Sequence, residues 1–254
     1  MWMGKTEDLI LYEDKEILVC RKPAGLGVQS AGVGKTDMES CLKNYLAEKT
    51  PGKVPFLGII HRLDQPVEGV LVFAKTPEAA KELNRQLTEN RMGKHYLAVT
   101  EGTPPAEEGV LEDWLKKDGK TNTSFVTAPG TKGGKRAELF YKVAKHIPGE
   151  DGGRDQYLLA VTLKTGRHHQ IRVQMAHAGM PLVGDRKYNP QEKSGVSLGL
   201  CACALDFFHP RRGEKMHFSV EPEGSAFKRF GKDGEETPAE LVKEVKRVIN
   251  KFKF

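Results

Sequence analysis

One carboxylate stands out among the residues that could do chemistry. Asp64 follows His61-Arg62-Leu63, precedes Gln65-Pro66, and is succeeded by the apolar run at residues 69–75, GVLVFAK. An aspartate in a loop beside a buried strand can present one acid group into a cleft, as a nucleophile or a base. Its ordinary alternative is a turn aspartate bonded to its own backbone, just as Arg62 alone reads as a surface cation. A second group lies at residues 164–188, where Arg167 and Arg172 stand around a helix start. Arg172 falls among Ile171, Val173 and Met175, on a face turning inward. A guanidinium there is costly unless it meets a carboxylate. Asp64 is an available partner, and such a pair would hold Asp64 ionised at pH 7.

Other candidates carry less. Gly34-Lys35-Thr36 suggests a phosphate loop, but Gln29 stands where its first glycine belongs and no apolar strand leads in. Cys201 and Cys203 lack a second ligand pair at zinc spacing and sit in an apolar run, which favours burial. His168, His169 and His177 could suggest a metal, yet no H-E-x-x-H pattern is present.

The elements that must position these residues are legible from periodicity. Residues 9–12 and 17–20 read as strands around the turn 13–16, and Lys22-Pro23-Ala24-Gly25 ends the pattern. A helix is expected at 38–48, a buried strand at 69–75, and a helix opened by Thr76-Pro77. Residues 94–101 and 137–143 alternate as strands, and 157–165 is expected to pair with the latter through a hairpin loop at 149–155. Residues 170–178 read as a helix stopped by Gly179. Thr237-Pro238-Ala239-Glu240 opens an amphipathic C-terminal helix. Strands outnumber helices and come in adjacent pairs, so the expected fold is α+β, a largely antiparallel sheet with flanking helices. No repeat or low-complexity linker interrupts it, and residues 1–254 read as one domain.

With these residues in place the sequence resembles the RluA-type family of RNA pseudouridine synthases. The resemblance rests on His61-Arg62-Leu63-Asp64 with Gly69, on Glu13-Asp14 and Lys22-Pro23-Ala24-Gly25 before it, and on Lys94-x-Tyr96-x-Ala98 after it. Thr165-Gly166-Arg167-x-His169-Gln170-Ile171-Arg172, Gly179-x-Pro181-x-x-Gly184-Asp185-x-x-Tyr188 and Ala202-x-x-Leu205-x-Phe207-x-His209-Pro210 follow in order. Agreement spans residues 9–210, leaving 211–254 for a strand and the amphipathic helix, and the N-terminal S4-type RNA-binding module of some family members is not expected here. The resemblance implies a single catalytic domain on a mostly antiparallel mixed sheet, with a central RNA-binding cleft.

It further implies that Asp64 is the catalytic carboxylate, attacking the sugar or the base or acting as a base on the sugar. Tyr96 would pack on the uracil, and Arg172 would keep Asp64 anionic. Arg62 would fill the space left by the flipped base or grip a phosphate, and His61, Arg167, His169, Gln170 and Lys94 would contact RNA. No cofactor or metal is implied, since the reaction is an isomerisation. The sequence departs from the family at Val67-Glu68, where Thr-Ser is usual, at His168 and Cys201, and at Ala137-Glu138-Leu139, where Ala-x-Thr is commoner. These departures bear on substrate choice.

Composition fits this reading. The 254 residues carry 40 Lys+Arg against 34 Asp+Glu, a net charge of +6 that permits a nucleic-acid partner. Lysines and arginines concentrate at residues 116–136 and 164–187, opposed there only by Asp118 and Asp185. No apolar stretch is long enough for a bilayer, and the charges at Lys5, Glu7 and Asp8 interrupt any signal sequence. The four cysteines include no C-x-x-C pair and read as reduced thiols. The expectation is a cytoplasmic monomer acting on rRNA or tRNA, without an obligate protein partner and without contact with a membrane. Two other classes fit parts of the sequence: a non-catalytic RNA-binding or RNA-folding protein on this scaffold, and a histidine-based metal-dependent hydrolase. The intact Asp64, Tyr96 and Arg172 argue against the first, and the missing ligand pattern against the second.

Overall fold

The computed structural model describes residues 4–30, 36–149, 153–192 and 195–231. The expected C-terminal helix and most of the Gly34-Lys35-Thr36 segment lie outside them. Among the described residues no helix is long and apolar enough to cross a membrane. The fold is α+β, and the chain divides into two compact units.

The first unit holds residues 4–94 and 202–220. Its strands are β1 (Ile10–Glu13), β2 (Ile17–Lys22), β3 (Gly58–Ile59), β4 (Glu68–Ala74), β10 (Leu200–Phe208, from Ala202) and β11 (Lys215–Ser219). Their order is β1-β2-β4-β10, with β3 on β4 and β11 on β10. All seven residues of β4 are buried: the charged Glu68 at its start and the unbroken apolar run from Gly69 to Ala74. Helix α1 (Met38–Lys49) is capped by Asp37, which accepts from Ser40 N–H at 2.8 Å. Helix α2 (Pro77–Thr88) has Thr76 as its cap and proline at its first position, as the sequence indicates.

A charged tie joins three of these elements. Glu13 of β1 accepts from Tyr45 and Lys49 of α1 and from Lys75 just after β4, at 2.7–2.8 Å. Burial pushes its carboxyl up, but the hydrogen bonds from Lys49, Lys75 and Tyr45 outweigh this and lower its pKa to about 2. A carboxylate depressed in the folded state contributes stability above its unfolded value near 4.5, and loses it as pH falls toward 2. Glu13→Gln is therefore expected to flatten the decline of the unfolding midpoint between pH 4.5 and 2. Parallel acid titrations of the two proteins, followed by circular dichroism, check this.

The second unit holds residues 95–201 and 221–231. Strands β5 (Gly93–Glu101, from His95), β6 (Glu108–Asp118), β7 (Thr123–Thr127), β8 (Lys135–Ile147) and β9 (Gln156–Leu163) lie in the order β5-β9-β8-β6-β7. Every pair is antiparallel, and β8 pairs with β9 as expected from their alternation. Helix α3 (Gln170–His177) ends at Gly179, at φ 79. The β6–β7 hairpin is an addition to the sequence reading, in which residues 116–136 stood only as a basic run. Its alternation is hidden by lysines, because only one face of it packs.

Candidate active site

In the first unit, residues 60–67 form a loop held chiefly through its backbone. Asp64 O accepts from Val67 N–H at 3.0 Å, and Gln65 O accepts from Gly25 N–H at 2.9 Å. Asp64 is half-buried, and Arg62 beside it is exposed. Gly69 closes the loop at φ 137, where a Cβ would stand 2.4 Å from Ala202 O, so no other residue fits. His61 is half-buried and its Nε2 accepts from Val72 N–H at 3.4 Å. Burial, with the charge of Lys94, lowers its pKa to about 3, so the ring is neutral and brings no cation to RNA.

Beneath this loop lies Lys22, fully buried at the end of β2. Its Nζ donates to Leu26 O at 2.6 Å, Pro23 O at 2.9 Å and Gln65 O at 3.0 Å. Three carbonyls require three N–H groups, which only the ammonium form supplies. Burial lowers its pKa to about 7, against the attraction of Asp64 and Glu68. Glu68 is itself 4% exposed, with Arg21 3.9 Å away. The unusual Glu68 of this chain thus enters the interior as a counter-charge to Lys22 and Arg21, while Val67 is an apolar filler. Sequence reading quoted Lys22 within a motif but gave it no role. The available signal was a lysine continuing the apolar strand Ile17–Cys20.

Removing that ammonium leaves the carbonyls and Glu68 without their cation. Lys22→Met is expected to cost about 3 kcal/mol of stability. It should also speed hydrogen exchange at Val67. Urea titration and exchange mass spectrometry measure the two effects. Unchanged exchange would remove Lys22 from any part in holding the loop.

The second unit carries the remaining expected residues. Tyr96, on β5 opposite Val161, is 8% exposed. The far end of β5 is tied to the motif at 179–185, with Glu101 N–H donating to Pro181 O and Val183 N–H to Val99 O. Gly184 takes φ 75, and a Cβ there would meet Ser197 O at 2.3 Å. That turn delivers Asp185, whose carboxylate receives Arg172 Nε at 2.8 Å and Nη2 at 2.7 Å. Arg172 and Asp185 are 5% and 0% exposed. Arg172 thus has the carboxylate its buried setting demands, thirteen positions along the chain. The Asp185 oxygen also accepts from Lys187 and Tyr188 N–H. The Tyr188 ring lies 5.2 Å from the guanidinium.

Around them a polar cluster fixes the start of α3. His169 adopts the left-handed conformation at φ 55, and its Nδ1 is 2.7 Å from Tyr188 Oη. That hydroxyl also accepts from Ser124 N–H at 2.7 Å. His168 stacks on His169 at 3.8 Å and reaches Ser124 Oγ at 2.9 Å. Gln170 is 3% exposed, with its amide committed to Thr165, Arg167, Glu138 and Gln174. It therefore shapes the turn from the interior. Arg167 is exposed, its Nε held by Arg136 O at 2.8 Å. Asp185 and Tyr188 went without a role in sequence, although both stand in the quoted motif. The cysteines are free thiols, three of them buried, as their apolar neighbours suggest.

Comparison with known proteins bears on the chemistry. The sequence profile described as RNA pseudouridylate synthase matches residues 16–177. Ribosomal large subunit pseudouridine synthase C of Buchnera aphidicola subsp. Schizaphis graminum is 34% identical over 235 residues, 87% of this chain and 69% of that protein. Ribosomal large subunit pseudouridine synthase D of Vibrio cholerae is 34% identical over 224 residues, 82% of this chain and 65% of that protein. The solved structure of human RNA pseudouridylate synthase domain containing 1 has a TM-score of 0.70 at 22% identity, covering 97% of this chain and 98% of that one. At that identity the likeness is one of fold.

Proposed function

Because the chain belongs to the RNA pseudouridylate synthase family, an isomerase acting on RNA, we propose that it converts uridines of ribosomal RNA to pseudouridine with Asp64 as the reacting carboxylate. The reaction breaks the bond between N1 and C1′, turns the uracil, and joins C5 to C1′. A duplex hides these atoms, so the nucleotide is flipped out at a cost of a few kcal/mol. Asp64 acts at the sugar or the base. Tyr96 packs on the uracil, close to the C5 proton that must leave. Arg172 supplies positive charge favouring the ionised carboxylate, and Arg62, exposed on the loop, fills the vacated stack or meets a phosphate. Both bacterial relatives are named for the ribosomal large subunit, which supports rRNA over tRNA as the substrate.

The observation that carries the reading is the Asp64 loop itself. Its backbone is pinned by a buried ammonium and by Gly25, while Asp64 itself is only half-buried. The test is to map pseudouridines in total RNA from a strain lacking this gene, then to restore the gene. A large-subunit rRNA position that loses and regains the modification is expected. If every rRNA position is unchanged and a tRNA position is lost, the rRNA assignment is overturned.

A further inference from the structure

We propose that the outer face of the β6–β7 hairpin is a stacking platform for a single-stranded stretch of the substrate RNA, outside the target uridine. The proposal rests on RNA being the substrate, and its own basis is the hairpin's two-sided pattern. Register pairs Leu115 with Val126 and Lys116 with Phe125. Leu115 is buried with Ala137 and Val173 of α3, and Val126 packs on them, so this face is the inner one. Alternation then puts Trp114, Lys116 and Phe125 together on the other face. Lys116 is directly opposite Phe125, and Trp114 is opposite Thr127, one diagonal step away.

Phe125 is 46% exposed although it lies mid-strand, on the last strand of the sheet order. The Lys116 stem extends toward the turn at 131–134, where a Cβ on Gly133 would be 3.8 Å from its Cε. Lys120 lies in the hairpin turn and Lys132 in the next one, both exposed. Lys116, Lys120 and Lys132 make no salt bridge among the described residues.

The nearby acids are already engaged. Asp118 accepts from Lys120 N–H and the Thr121 hydroxyl of its own turn. Glu112 and Glu138 are both bridged by Arg136. What the hairpin offers outward is therefore aromatic surface flanked by three lysines. That combination suits RNA whose bases are free to stack while its phosphates meet ammonium groups. A duplex shows no open base face and fits this surface less well.

The test uses purified full-length protein and two labelled probes, a twelve-nucleotide oligouridylate and a twelve-base-pair RNA duplex, with affinity read by fluorescence anisotropy. Phe125→Ala is expected to weaken oligouridylate binding roughly tenfold, and Phe125→Trp to retain it. Combined Lys116→Ala, Lys120→Ala and Lys132→Ala should flatten the salt dependence of log Kd by about 2. A thermal melt of each variant checks that the fold is kept. The platform is overturned if Phe125→Ala binds oligouridylate within twofold of the parent, or if the parent binds the duplex more tightly than the single strand. Loss of pseudouridine mapping in the deletion strain is read separately. Its failure would remove the enzymatic reading while leaving the binding result to judge the platform.

Discussion

Asp64→Asn is expected to lower pseudouridine formation by at least about a thousandfold, with the fold and RNA affinity retained. The substitution keeps the shape of the side chain and removes its ability to act as a nucleophile or a base. The loop's bonds to Val67, Gly25 and Lys22 run through main-chain oxygens of residues 64 and 65, so the substitution leaves them in place. Asp64 is half-buried, so its neutral form carries little desolvation cost. A second readout follows from Lys22, whose pKa of about 7 is held up partly by the Asp64 charge. Without that charge it should titrate lower, visible in the amine resonance of labelled lysine. Purified variant turning over within tenfold of the parent would remove Asp64 from the chemistry, whatever the loop geometry.

How much of this was legible in sequence depends on the range of the forces involved. Caps and stops are local, and Thr76-Pro77 and Gly179 stand where their chemistry places them. The buried strand β4 announced itself through the unbroken apolar residues from Gly69 to Ala74, but not its buried first residue, Glu68. The β6–β7 hairpin did not, since half its pattern is lysine and its packed face is only Leu115, Ser124 and Val126. Inward-facing neighbours marked Arg172 as needing a carboxylate. The sequence offered Asp64 for that role, whereas Asp185, brought to the guanidinium by the turn at Gly184, carried no such signal. Lys22 escaped for a related reason. A lysine ending a strand is ordinarily solvated, and only the fold brings Leu26 O and Gln65 O within reach of its ammonium.

The Arg172–Asp185 pair leads to the largest expected effect on stability. Arg172→Met is expected to lose stability as well as turnover. With Asp185 0% exposed and doubly bonded to the guanidinium, the variant strands a buried carboxylate. Breaking one partner of such a pair costs about 3–5 kcal/mol, enough to consume much of a domain's margin. Two main-chain donors from Lys187 and Tyr188 remain on Asp185, which keeps the turn partly satisfied. Adding Asp185→Asn to Arg172→Met removes the stranded charge yet leaves an oxygen for those donors, so most of the lost stability should return. Turnover should not, because neither change restores the positive charge proposed to favour the ionised form of Asp64. Denaturant titration and a single-turnover assay on the single and double variants separate the effects. If the double variant regains both stability and turnover, Arg172 serves only to neutralise Asp185, and its place in the reaction is lost.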